Sequence, residues 1–392
     1  MDSLCPFDAF AQAPPLALYL HIPFCERKCP YCDFNTYAGL DNLHERFVQA
    51  LTKDIRRWGD ALGHPPLQSV FIGGGTPTVL AVKQLASIME AVKEAFSLST
   101  HVEVTCEANP GTTDTSKFRS LKELGVNRLS LGAQSLHDDE LRFLGRIHTS
   151  EQVTSAVRQA RQAGFDNLNL DLIYGLPGQR LDQWRDTLEQ VLALEPTHIS
   201  CYALTIEEGT PFARWVRVGK IPPVDEDMQG VMYEMTQDIL EEAGYVHYEI
   251  SNWARPGRQC AHNVVYWRNQ AYLGLGPGAH SHDGWHRWWM APSPQVYIER
   301  IEVGEHTVQG WERIDRSLSM AETMILGLRL LQEGLERSAF RSRFGVDPVD
   351  VYQAQIERLL KFGLISVSTS RVTLTRRAYP IANQVFVEFL DV

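Results

Sequence analysis

The stretch Cys25-Glu26-Arg27-Lys28-Cys29-Pro30-Tyr31-Cys32 carries three thiols in the spacing C-x3-C-x2-C. It directly follows an apolar run, residues 16–22, that reads as a strand, so the thiols sit on a strand-end loop. Soft thiolates this close together select an iron–sulfur cluster or zinc. Either normally takes four protein ligands. Here the local set stops at three, because the residue two past Cys32 is Phe34. A missing ligand is a defect in a structural site and a requirement in a reactive one, where it leaves one iron open to a small molecule.

Outward from this loop, strand, loop and helix alternate from Leu16 to about Trp253. Short apolar runs predict strands at 16–22, 69–73, 102–107, 128–133, 168–173, 198–203 and 248–253. Segments of helical period lie between them, such as Phe47, Leu51, Ile55 and Trp58. Repeated βα units imply a parallel sheet, and about six favour a closed or partial (β/α) barrel, with a doubly wound open sheet as the alternative. Residues 221–244 read as one more helix, and the Gly-, His- and aromatic-rich stretch 252–290 as loops and short irregular elements. Beyond Asp315, helices at 320–331, 337–344 and 348–362 precede two short strands at 363–367 and 371–375, a winged-helix-like pattern. The expected organisation is an α/β chain in four parts. An N-terminal extension spans 1–15 and the barrel 16–255. An aromatic- and histidine-rich linking segment spans 256–314, and a winged-helix-like α+β domain 315–392.

The 392 residues are 44% hydrophobic and 22% charged, ordinary globular composition for one large and one small domain. A net charge of -11 argues against a nucleic-acid binder, and no helix of the last domain carries a Lys/Arg stripe, so that domain reads as a docking or lid element. No apolar run approaches the roughly 20 residues of a membrane span. The first twelve residues lack the basic and apolar regions of a signal peptide. A cytoplasmic protein follows, with any contact to the inner membrane made through partners. Cys5, Cys106, Cys201 and Cys260 are scattered singly and do not form a disulfide framework.

Functional residues of a barrel cluster where its strands end. Strand one ends at His21-Ile22-Pro23, and strand two at Gly73-Gly74-Gly75-Thr76-Pro77. Backbone without side chains can approach a ligand there, although a tight βα turn alone also explains the glycines. The Walker lysine and G-x-G-x-x-G are absent. Later strands end near Glu107, Gln134 and Asp171, with Arg146 beyond the fourth. Glu107 or Asp171 taken singly could cap a helix. Together they form a polar ring suited to a zwitterionic ligand with a ribose. A second constellation is His262-Asn263-Val264-Val265-Tyr266-Trp267, followed by Gly274 to His282. Histidine beside aromatics can ligate an iron porphyrin, or can simply be a hydrogen-bonded structural residue. His282, Trp285, His286, Trp288 and Trp289 read as an edge hairpin packed on the barrel mouth.

The cysteine spacing, Gly-Gly-Gly-Thr-Pro and the strand-end residues resemble the radical S-adenosylmethionine superfamily. Gly-Leu-Gly-Pro-Gly-Ala-His-Ser at 274–281 and Asp-Leu-Ile-Tyr-Gly-Leu-Pro at 171–177 narrow the resemblance to the oxygen-independent coproporphyrinogen III oxidase family. That family has a dehydrogenase branch with a further cysteine two residues after the third, where this chain has Phe34. It also has a haem-chaperone branch carrying H-N-x-x-Y-W, intact here at 262–267. The resemblance implies a [4Fe-4S] cluster on Cys25, Cys29 and Cys32. It implies S-adenosylmethionine contacts at Tyr19, Tyr31, Gly74, Gly75, Thr76, Glu107, Gln134, Arg146 and Asp171. It further implies haem as cargo, with His262 the natural axial candidate and Tyr266 and Trp267 lining the site. The implied function is to take haem, with a donor protein as one source, and deliver it to respiratory or other haem-protein acceptors. Radical cleavage of S-adenosylmethionine is compatible with that role. The alternatives are radical decarboxylation of coproporphyrinogen III to protoporphyrinogen IX, and a radical reaction on another substrate with His262 merely structural.

Overall fold

A computed structural model describes residues 16–390; the expected extension 1–15, Cys5 within it, and the last two residues lie outside the described residues. Six parallel strands form the body: β1 (Leu16–Ile22), β2 (Pro66–Gly74), β3 (Ser97–Ala108), β4 (Arg128–Gln134), β5 (Asn167–Tyr174) and β6 (His198–Ala203). β1 buries every residue except the half-buried Tyr19. Strands covered on both faces read as apolar runs for this reason. The six lie side by side in chain order. A doubly wound sheet would reverse that order partway; a steady progression curls one way, toward a barrel. The helix His44–Ala61 buries Phe47, Leu51, Ile55 and Trp58, the stripe its spacing predicts.

The sheet is longer than the sequence suggests. The expected strand at 248–253 is two, β7 (Val246–Glu249) and β8 (Asn252–Ala254), paired antiparallel. The Glu249 carboxylate folds the turn between them by accepting from Ser251 N at 3.0 Å and from Asn252 Nδ2. The helix expected over 221–244 runs Glu226–Glu242, because Pro222 and Pro223 lack N–H groups and Asp225 caps the start by accepting from Met228 N. A short helix, Pro211–Arg217, precedes it unforeseen.

The larger correction concerns residues 256–314, which do not merely link. They supply β9 (Tyr272–Leu275), β10 (His280–His282), β11 (His286–Met290) and β12 (Val308–Arg313). β9 pairs parallel with β1, and the other three extend the sheet antiparallel. The twelve-stranded order is β12-β11-β10-β9-β1-β2-β3-β4-β5-β6-β8-β7, open at both edges, hence a partial barrel. These strands are short, interrupted by glycine, and made of His, Trp and Tyr, so no apolar alternation announces them. Only Trp288 and Met290 of β11 are buried.

The segment is also tied to the body by a buried polar knot. Tyr297 Oη and Thr307 Oγ1 both donate to Asp54 Oδ2, at 2.7 and 3.1 Å. Burial pushes the Asp54 carboxyl up to about 6. Tyr297→Phe removes one of these donors to a buried acid and is expected to cost about 1–3 kcal/mol of unfolding free energy in guanidinium titrations at pH 8. An unchanged midpoint would show that the knot contributes nothing.

The last domain has its own core around Met324, Leu328, Phe340, Ile356 and Val372. Its helices Arg316–Leu328, Arg337–Phe344 and Gln353–Lys361 pack with a three-stranded sheet, Leu335–Glu336, Arg371–Leu374 and Ile365–Val367. Arg343 docks it on the body by donating to the carbonyls of Asn269 and Gly284 at 2.9 and 3.0 Å. No described helix is long and apolar enough to cross a membrane.

Candidate functional site

The C-terminal ends of β2 to β6 and the cysteine loop enclose a cavity of about 410 Å³. Its lining includes Cys25, Cys29, Cys32, Tyr31, Gly74, Gly75, Thr76, Glu107, Gln134, Arg146 and Asp171. The structure therefore brings together every residue expected at the cluster and S-adenosylmethionine sites except Tyr19. Tyr19 stands mid-strand, between Phe71 of β2 and Gly274 of β9, and lines a second cavity. Strand ends are legible by their offset from the apolar run; the depth of a mid-strand side chain is not.

Glycine is required where the second strand meets the cysteine loop. A Cβ on Gly75 would lie 2.4 Å from Phe24 O and 3.0 Å from Cys25 Sγ. Gly74 adopts φ 109°, and a Cβ there would strike the His21 ring at 2.6 Å. Gln134 also has positive φ, at 67°, a conformation uncommon outside glycine. A glycine-only conformation at Gly74 and an uncommon one at Gln134 thus mark two strand ends that line the cavity.

The three cysteines are free thiols on one cavity wall. Thr76 Oγ1 donates to Cys25 Sγ at 3.7 Å, and Arg146 Nη1 to Cys29 Sγ at 3.5 Å. Among the described residues, no three His, Cys, Asp or Glu side chains converge on a position for one metal ion. In an iron–sulfur cluster each thiolate takes its own iron, and three thiols lining one cavity fit such a cluster with one iron left open. Burial raises the Cys25 and Cys32 thiols, so loading metal must also displace their protons.

The rest of the cavity carries opposed charges. Arg146 donates to Gly132 O at 2.9 Å and to Asn109 Oδ1, while its buried Nε has no partner. Asn109 in turn donates to Thr76 Oγ1 at 3.0 Å. Glu107 accepts from Gly74 N at 3.0 Å. Asp171 accepts from Ser130 Oγ and Asn169 Nδ2, each at 2.9 Å. Burial, then the nearby Asp171 carboxylate, pushes Glu107 up to about 8, and burial raises Asp171 too. Two carboxyls and a guanidinium lining one cavity fit a ligand that is cationic at one end and anionic at the other. Sequence reasoning missed Asn109, Ser130 and Tyr202 as lining residues. Asn109 and Ser130 sit two residues from Glu107 and one strand from Asp171, a signal that becomes legible only once the strand register is known.

The second cavity, about 580 Å³, shares Phe34, Gly74 and Glu107 with the first. Tyr266 and Trp267 line it; His262 does not. The helix Ala261–Trp267 carries the H-N-x-x-Y-W motif, and the Glu103 carboxylate accepts from its first N–H groups, Ala261 N and His262 N, at 3.2 Å. The His262 ring is buried near Phe71, and both its nitrogens are engaged, Nδ1 with Ser69 Oγ at 2.9 Å and Nε2 with Tyr266 Oη at 2.8 Å. Burial lowers it to about 3. Contrary to expectation, this geometry leaves His262 no free nitrogen for an iron. Trp267 faces the last domain, with the Arg329 guanidinium 4.2 Å from its ring centre.

Fold and site define a radical S-adenosylmethionine protein. Residues 19–191 match the Radical SAM superfamily and residues 315–381 the HemN C-terminal domain. Membership of the superfamily implies a [4Fe-4S] cluster and S-adenosylmethionine. The chain is 35% identical over 373 residues to the heme chaperone HemW of Bacillus subtilis, covering 95% of this chain and 98% of that one. It is 41% identical over 272 residues to the heme chaperone HemW of Escherichia coli, covering 69% and 70%. The chain belongs to the HemW family. The structure of coproporphyrinogen III oxidase (HemN) from Escherichia coli, a radical SAM enzyme, is similar with a TM-score of 0.86 over 99% of this chain and 93% of that one. At 22% identity that likeness is one of fold alone.

Proposed function

We infer that the chain binds haem and passes it to haem-protein acceptors, those of a respiratory chain among them, and that it does not decarboxylate coproporphyrinogen III. The observation that carries this reading is the second cavity, walled by tyrosine, tryptophan and histidine beside the cysteine site, in a chain of the HemW family. Phe34 at the position of the dehydrogenase branch's extra cysteine supports it.

In this reading Cys25, Cys29 and Cys32 hold a [4Fe-4S] cluster. Arg146 meets the carboxylate of S-adenosylmethionine, Glu107 and Asp171 its ammonium and ribose hydroxyls, and Gly74 and Gly75 let backbone approach it. Tyr31, Thr76 and Gln134 complete the wall. When bound, the cluster and S-adenosylmethionine supply one-electron chemistry. Contact with a membrane-bound acceptor, or with a haem donor, runs through those partners.

Haem titration followed by absorbance, paired with anaerobic turnover of coproporphyrinogen III by the cluster-loaded protein, tests the reading. Saturation at equimolar haem without porphyrinogen product is expected. Steady formation of protoporphyrinogen IX would assign the chain to the dehydrogenase reaction instead.

A further inference from the structure

We propose that His198 is a positioning residue for the first cavity, holding the Asp171 carboxylate in place through the side-chain amide of Asn169. The proposal rests on the reading of Asp171 as a contact of S-adenosylmethionine. His198 and Asn169 are 0% and 2% exposed and line neither cavity, so any influence on a ligand passes through their neighbours. Strand register brings the group together. Ser130 of β4 pairs with Asn169 of β5, and Asn169 pairs with His198 of β6. Asp171 lies two residues after Asn169, on the same face of β5. Asn169 Nδ2 donates to Asp171 Oδ1 at 2.9 Å and to Ser130 Oγ at 2.7 Å. Ser130 Oγ donates to the other carboxylate oxygen, Oδ2, at 2.9 Å. One amide therefore governs both oxygens of Asp171, whose remaining lone pairs are left for a ligand.

The far end of the chain sets its direction. Cys260 N, just before the helix Ala261–Trp267, can only donate, and Tyr248 Oη accepts from it at 3.3 Å. The Tyr248 hydroxyl hydrogen is then left for His198 Nε2, 2.8 Å away. Burial and the Arg128 guanidinium hold His198 well below its ordinary range, so its ring is neutral and carries one N–H. A neutral ring that accepts at Nε2 carries its hydrogen on Nδ1, which lies 2.6 Å from Asn169 Oδ1. Ser200 Oγ donates to the same oxygen at 3.2 Å. With two donors on Oδ1 the amide cannot flip, and its Nδ2 stays on Asp171 and Ser130. Every hydrogen from Cys260 to Asp171 thus points toward the carboxylate. The bonds from Ser130 and Asn169 favour its ionised form against the burial that raises it.

The full-length, cluster-loaded protein is titrated anaerobically with S-adenosylmethionine by equilibrium dialysis. The variants are His198→Gln, His198→Asn, Tyr248→Phe and Asp171→Asn, with His198→Gln and Tyr248→Phe each also combined with Asp171→Asn. Circular dichroism checks each fold. His198→Gln, whose amide reaches toward Tyr248 rather than Asn169, is expected to weaken binding about fivefold or more. His198→Asn puts an amide N–H near the former Nδ1 and should stay within about twofold of wild type. In the Asp171→Asn background His198→Gln should add almost nothing, because the carboxylate it acts through is gone. A purely structural loss would cost the same factor in both backgrounds. Nitrogen-15 NMR of the histidine-labelled apo protein should show an Nδ1–H ring whose signal is lost in His198→Asn. If His198→Gln does not fold, that tautomer and the milder Tyr248→Phe cycle, with an expected loss of about threefold, decide the matter. Wild-type affinity in the folded His198→Gln, equal losses in both backgrounds, or an Nε2–H tautomer at His198 overturns the proposal. Wild-type affinity in Asp171→Asn is a separate outcome, which removes Asp171 from ligand contact and with it the reading beneath the proposal.

Discussion

Anaerobic reconstitution with iron and sulfide is expected to load about four irons per chain in the wild type and almost none in Cys29→Ala. Three thiolates already leave one iron without a protein ligand, so the set has no spare donor. Removing Cys29 leaves two thiols and strips Arg146 Nη1 of its sulfur contact at 3.5 Å. The fold should survive the change. Cys29 lies on a partly exposed loop and belongs to no buried core cluster. Substitutions of that kind shift unfolding by about 0.5 kcal/mol, so far-UV circular dichroism and the apo melting curve should match wild type. Cys106→Ala is the control, because Cys106 is a fully buried thiol on β3 outside the cavity lining. It should retain iron, sulfide and the cluster chromophore. Retention of the cluster in Cys29→Ala, or zinc in place of iron in anaerobically purified wild type, would overturn the assignment of this loop.

Glu107→Gln is expected to make the apo protein more stable than wild type at pH 8, and no different near pH 4. Burial and Asp171 push the Glu107 carboxyl from 4.5 up to about 8. Between those values the unfolded chain has lost the proton that the folded chain still holds. Folding stability therefore falls as pH rises through this window, by up to about 1.4 kcal/mol per pH unit, and levels off above it. Below 4.5 both states are protonated and the cost vanishes. Integrated, the ceiling is roughly 5 kcal/mol, trimmed because Glu107 faces two cavities that admit water. Glutamine can still accept from Gly74 N and carries no proton to lose.

The acid limb has the opposite sign. Burial lowers His148 and His282 to about 4 and His247 and His262 to about 3, so their contribution is lost as pH falls below 6.5. Wild type and variant share that limb, and the difference between their guanidinium midpoints from pH 5 to 9 isolates Glu107. Added S-adenosylmethionine, a cation, should favour the ionised carboxyl and shrink the difference. Parallel midpoints across the range would mean that Glu107 titrates normally and that the polar ring is not strained.

Much of this site is legible because barrel chemistry concentrates at strand ends, and an apolar run announces where a strand ends. Gly74, Gly75, Thr76, Glu107, Gln134 and Asp171 are found that way, and the cysteines by spacing alone. Asn109 is in plain view beside Glu107, but its role depends on Arg146 and Thr76, which only folding brings to it. Residues 256–314 are misread for a different reason. Their strands contain the aromatic and histidine residues that elsewhere signal loops and ligands, and their partner β1 lies some 250 residues earlier.

The order of residues along the chain carries the C-x3-C-x2-C loop, the βα repeat and the H-N-x-x-Y-W motif, because each is a pattern over a few neighbouring positions. It cannot say which histidine has a nitrogen to spare. His262 looks like a ligand in its motif, but Ser69, 193 residues away, takes one nitrogen and Tyr266 the other. Whether a polar atom is satisfied depends on distances across the folded sheet, and those distances, not the motif, decide what His262 has to offer.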